Sequence, residues 1–443
     1  MQDTKTKEGQ ERNLGHGREV LHVHVTKPVV LVLVGITVLP WVLAAAGFLV
    51  WKASVGARTE RKVPTLTLPG ERVTYAKPGP WGEIEFIRIA IEPPDEFIDV
   101  GDLTEKPAWF FGRHTRLDVE AFLKDERLTA EQRSALLETT PWEEGTNGIV
   151  LHPGADLVLG LGNEARERIY SLLALFPENR PQAAAFSFKP ALLQERLELS
   201  GVTRATIDLL TRLLYRNGDL LMFADMNLVL PRLPDDRERL RFVKTVSRKT
   251  TLMGSLKVDA DSDVDKLASY WGFDGRSKDI RPLLESLRRV PGGASLDLAH
   301  LLPPFARRRI YTYPLPSTDP VVNRRDCHWT SLNFFNEQPE DRFTDLPTVL
   351  KAIETDYFQI GGGARLGDLV LLVTRDERVV HSAVYVADDV VFTKNDAVFT
   401  QPWMLMRMPD LLDFYQAFQR VNEPLRIRFY REKDRRTAGE LSR

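Results

Sequence analysis

The sequence predicts an α+β protein with a single N-terminal transmembrane helix, a mostly helical middle domain, and a C-terminal domain in which a helix packs on antiparallel strands. Three observations carry that reading. Pro28–Trp51 runs without one charged residue. Across residues 76–300, most segments show apolar side chains at helical spacing. Residues 301–431 place a short helix signal at Cys327 ahead of three apolar runs bounded by turn residues. Helices set apart from an antiparallel sheet make the class α+β.

Residues 1–27 are read as a tail. Residues 28–51 form the predicted span, flanked by Lys27 and Lys52. At about 1.5 Å per residue this stretch is long enough to cross a hydrocarbon core of roughly 30 Å. Its apolar run is too long for a signal-peptide core, so a retained single-pass anchor in the cell membrane is expected. Basic residues are about as frequent before the span as after it, so charge alone does not orient it. Residues 52–75 read as a tether interrupted by Pro64 and Pro69.

The 76–300 region opens with a strand signal at Glu83–Ile91. Helix signals follow: a capping box at Thr129–Gln132, then Glu164–Phe176, Ala191–Leu199, Arg204–Arg216 and Ile280–Arg289. Leu220–Leu230 and Thr251–Val258 read as strands. Asp259–Asp265 imitates a calcium loop but carries Val264 at the glycine position and reads as a helix-capping loop. His114, His152 and His300 have no partner at metal-ligand spacing. No metal or cofactor is expected. A net charge of −2 with mixed signs gives no reason to expect nucleic acid as a partner.

The chemistry gathers in residues 301–431, ahead of a charged tail at 432–443. Cys327 is the only cysteine in the chain, so no intrachain disulfide is possible. Trp329, Leu332 and Phe335 recur at three-residue spacing, which puts Cys327 in the first turn of a helix. A thiol there faces the positive end of the helix dipole, which favours the nucleophilic thiolate. His381 lies downstream in an apolar strand, where its ring is expected to share the thiol's proton.

Three pieces of this region resemble the NlpC/P60 family of papain-like cysteine peptidases and the related CHAP amidohydrolases. They are Asp326-Cys327 at a helix start, Gly367-Asp368-Leu369-Val370 opening a strand, and His381-Ser382-Ala383-Val384-Tyr385-Val386 on the next strand. His328 and Trp329 after the cysteine depart from the NlpC/P60 pattern, and Trp329 is closer to the CHAP one. The resemblance covers about 110 of the 443 residues. It implies Cys327 as nucleophile, His381 as base, and a third polar residue about a dozen positions further on. Thr393, Lys394 and Asn395 compete for that place, and Asn395 is preferred because its amide oxygen can orient the imidazole without adding charge. Asp326, Trp329, Lys394 and Tyr313 are expected around the substrate, with Tyr311 or Tyr313 aiding the oxyanion.

The resemblance further implies cleavage of amide bonds in cell-wall (peptidoglycan) peptides, which would place the C-terminal body outside the cell membrane. A thiol acyltransferase on the same fold and an inactive wall- or partner-binding scaffold remain alternatives.

Overall fold

A six-stranded antiparallel sheet frames the C-terminal half of the chain. Its order is β11 (Tyr357–Ile360), β16 (Arg426–Glu432), β12 (Leu369–Val373), β13 (Val379–Ala387), β14 (Val390–Lys394) and β15 (Trp403–Arg407). The computed structural model describes residues 73–101, 106–417, 419 and 423–433, all of which belong to one compact unit, Leu66–Arg443. β12 and β14 are buried along their whole length, and β13 from His381 onward, because both sheet faces are covered. That is why these strands read as unbroken apolar runs without alternation. Gly367, just before β12, adopts φ +93°, and a Cβ there would lie 2.2 Å from the Phe335 ring. The following Asp368 receives Arg431 in a two-pronged ion pair, Nε–Oδ1 2.9 Å and Nη2–Oδ2 2.6 Å, which fastens β16 to the start of β12.

A second sheet, β1 (Val73–Tyr75), β2 (Glu83–Ile91), β9 (Lys249–Val258) and β10 (Ala294–Asp297), stands in that order. β2 and β9 pair antiparallel from Glu83↔Lys257 to Ile91↔Lys249. Thr251 ties this sheet to the first: its Oγ1 donates to the Leu405 carbonyl at 2.9 Å and accepts from the Leu405 N–H at 3.0 Å. Tyr270 donates to the Val386 carbonyl at 2.6 Å. One hydrophobic core therefore runs from Trp81 and Phe86 through Trp271 to Val386 and Leu425.

The rest of the 76–300 region holds two three-stranded sheets. One is β3 (Trp109–Gly112), β5 (Gly148–Leu151), β4 (Trp142–Gly145), and the other is β6 (Phe186–Phe188), β8 (Leu220–Phe223), β7 (Tyr215–Asn217). One apolar cluster joins the first of them to Tyr215, Leu220 and Met222 of the second, and another gathers around Phe188 and Phe223. A buried ion pair sits between the Asn163–Leu173 helix and the segment after β8. There the Arg166 guanidinium and the Tyr170 hydroxyl both donate to Asp225.

The helix-and-strand mixture fits the α+β class, and helix outweighs strand in the middle region, although three sheets run through it. Their strands are mostly three or four residues long, too short to show a period of two. The transmembrane helix is not borne out: no helix among the described residues is long and apolar enough to cross a membrane, and 28–51 lies outside them.

Candidate active site

Asp326 caps the Cys327–Leu332 helix, its Oδ1 accepting from the backbone N–H groups of His328 (2.8 Å) and Trp329 (3.1 Å). This side chain satisfies donors that the first turn leaves open. Cys327 therefore opens the helix and is 6% exposed. The helix lies against β13 and β14. Its polar face meets Ser382: His328 Nδ1 stands 2.9 Å from Ser382 Oγ, Ser331 Oγ stands 2.6 Å from the same oxygen, and Ser331 Oγ donates to the Cys327 carbonyl at 2.8 Å. Burial lowers the affinity of His328 for a proton, opposed by the Asp326 carboxylate.

The donor atoms of Asp326, Cys327 and His328 lie within 4.8 Å of one another, the only three-donor group of this kind among the described residues. A cation is already close by. Burial pushes Lys394 down to about 8, while the charges of Asp396, Asp326 and Cys327 oppose that shift. The Lys394 ammonium donates to the Asp396 carbonyl and sits 5.8 Å from the centre of the Trp403 ring. A protein cation beside these three donors disfavours a metal ion there.

On β13 and β14 a second chain of polar groups runs through His381. Its Nε2 stands 2.9 Å from Thr393 Oγ1, whose own hydrogen goes to Asn395 Oδ1 at 3.1 Å. A hydroxyl has one hydrogen, so Thr393 can only accept from His381, and the ring carries its proton on Nε2. Nδ1 is then a bare lone pair. It is buried and has no hydrogen-bond partner among the described residues. The Tyr415 ring stacks on the imidazole, with centroids 4.2 Å apart and planes 25° apart. Burial, and after it the charge of Cys327, raises the Tyr415 hydroxyl well above its ordinary value.

No hydrogen bond joins Cys327 to His381. Ser382, next along β13, points at the cysteine helix, and successive side chains on a strand alternate in direction. Thr393 is the direct partner of His381, and Asn395 stands one bond further out. Lys394 and Trp329 are buried, and the Trp329 Nε1–H donates to Asp341 at 3.0 Å beneath the guanidinium of Arg325. Tyr313 donates to the Ile91 carbonyl at 3.0 Å and Tyr311 to the Leu252 carbonyl at 2.8 Å, so both hydroxyl protons bind the C-terminal half to β2 and β9.

His328, Ser382 and Tyr415 were missed by sequence reasoning. The position of Ser382 beside His381 was a usable signal for one of them, whereas Tyr415 arrives only through packing of the Met408–Gln416 helix. Comparison with protein-family models, curated proteins and solved structures finds no match for this chain.

Proposed function

We propose that this chain is a cysteine hydrolase of NlpC/P60-like type that cleaves amide bonds, with Cys327 as nucleophile and His381 as base. The observation that carries the reading is the His381 Nδ1 lone pair, fixed by the Thr393–Asn395 relay and left without a partner in a buried setting. Buried polar atoms are normally bonded, so an orphan imidazole nitrogen points to chemistry. Hydrogen bonds of catalytic pairs are often long in the free enzyme and tighten with substrate bound.

In the reaction the thiol gives its proton to His381 Nδ1 and the sulfur attacks the amide carbon. The amine leaves with that proton, and water then hydrolyses the thioester. The resemblance of Asp326-Cys327, Gly367-Asp368 and His381 to the family supplies the substrate class, cell-wall peptides. A second reading keeps Cys327 and makes His328 the base, because its ring nitrogen lies within 4.8 Å of Sγ.

Two measurements on the purified chain decide between them: iodoacetamide alkylation across pH, and release of new amine ends from soluble muropeptides. Cys327→Ser removes both signals. His381→Ala is expected to slow both by roughly 10²–10⁴-fold while His328→Ala costs far less, in line with loss of a general base. The reverse ranking installs His328. Slow alkylation insensitive to either histidine, with no amine release, returns the domain to a scaffold.

A further inference from the structure

A cavity of about 190 Å³ lies between β9, the Pro190–Glu198 helix and β15, and Asn395 of the histidine relay forms part of its wall. Its apolar side comes from Leu192, Leu193, Leu252, Met404 and Met406. Five basic residues also line it, against a single acid, Asp410. Two of the five are neutralised: Lys189 pairs with Asp410 and Arg407 with Asp389. Arg88, Arg196 and Lys249 make no ion pair among the described residues. Nearby Glu92 is taken up by Arg248, at 2.7 Å from its Nε, and by Lys244 at 3.4 Å.

Arg196 lies over the Phe188 ring at 5.1 Å. Burial and then the like charge of Arg248 push it down to about 10, and burial and then Arg196 push Lys249 down to about 7. Confining unpaired like charges in a half-apolar cavity is costly unless an anion joins them. The apolar wall asks in turn for a ligand with a hydrophobic part, since pockets of this make-up use few polar groups for orientation and apolar area for affinity.

We propose that this cavity binds a compact anion-headed amphiphile, a phosphate or carboxylate joined to a small apolar group, held by Lys249, Arg196 and Arg88. The proposal stands apart from the hydrolase reading, because none of these three residues belongs to the cysteine–histidine chemistry.

Titration calorimetry on the full chain tests it with hexyl phosphate, hexanoate, inorganic phosphate and hexanol as probes. Hexyl phosphate or hexanoate is expected to bind at least tenfold more tightly than inorganic phosphate and hexanol, and the better of the two identifies the head group. Lys249→Gln and Arg196→Gln are each expected to weaken that binding tenfold or more. Lys189→Gln, whose charge is already paired, is expected to change it less than threefold.

Thermal melting separates binding from a structural role. Without ligand, Lys249→Gln should melt at or above the wild-type temperature, because it relieves a half-buried charge without an ion pair, and it should lose the ligand-induced rise. Equal binding by hexanol, equal binding by inorganic phosphate, or unchanged affinity in both glutamine variants overturns the proposal. So does a lower melting point for Lys249→Gln with its ligand-induced rise intact. Cys327 alkylation in Lys249→Gln should match wild type, which keeps failure here distinct from failure of the hydrolase.

Discussion

Arg166 and Lys394 are both cations without solvent exposure, and the chain treats them in opposite ways. Arg166 meets a carboxylate, Asp225, that the Tyr170 hydroxyl also reaches, and its second amino group donates to the Val158 carbonyl at 2.8 Å. The charge is matched within its first contacts, which is how a structural ion pair survives burial. Lys394 hydrogen-bonds only to backbone carbonyls, those of Asp396 and, at 3.5 Å, Val398, beside the Trp403 ring. The charges of Asp396, and after it Asp326 and Cys327, act on it without an ion pair. A buried cation with a directly bonded carboxylate holds the fold. A buried cation without one bears more of the cost of its own burial.

The largest expected effect tests the matched half of that contrast. Arg166→Met leaves Asp225 buried without its cation and should destabilise the chain by about 3–5 kcal/mol in denaturant unfolding. Adding Asp225→Leu should return much of the loss, since removing both charges spares the uncompensated one. A loss below about 1 kcal/mol in the single variant would show that the pair does not carry the structural role given to it.

Lys394→Met should act with the opposite sign. The folded Lys394 sheds its proton near 8 and the unfolded one near 10.5. Below pH 8 both states hold the proton, and the folded state bears the full cost of burying it. Between about pH 8 and 10.5 the unfolded state binds more protons, so stability rises with pH across that window. The methionine variant lacks that dependence and should be more stable near pH 7 by on the order of 3 kcal/mol, a gap that closes toward pH 10. A variant less stable than wild type at pH 7 would mean that Lys394 is a structural cation like Arg166.

How much of this was legible in the sequence differs between the same two regions. β12, β13 and β14 fall on the three apolar runs that mark strands in the sequence, because long apolar runs between turn residues leave little choice. β16 was hidden: Arg426, Arg428 and Arg431 break up any apolar run there, and Arg431 is spent on Asp368. In the middle region the short strands gave no period to detect, and nothing local marks Arg166 and Asp225 as partners. At the site the spacing from His381 to Thr393 was readable, but the choice among Thr393, Lys394 and Asn395 was not. That choice depends on which side chains share a sheet face and on who donates to whom, both tertiary facts.

The smallest effect is also the most direct test of the relay. Thr393→Val removes the hydroxyl between His381 Nε2 and Asn395 Oδ1 at nearly constant volume, stranding a buried donor and a buried acceptor. Unfolding should register a loss of about 1–3 kcal/mol. Thr393→Ser keeps the oxygen and should lose less than about 1.5 kcal/mol, the range for removing one buried methyl group. The two variants part in reactivity. The serine should alkylate at Cys327 within about twofold of wild type. The valine should be about tenfold slower, roughly 1.4 kcal/mol, because the imidazole is then free to move its proton to Nδ1 and lose the lone pair. If the valine and serine variants react alike, Thr393 only packs, and the orphan nitrogen of His381 owes its tautomer to something other than the relay.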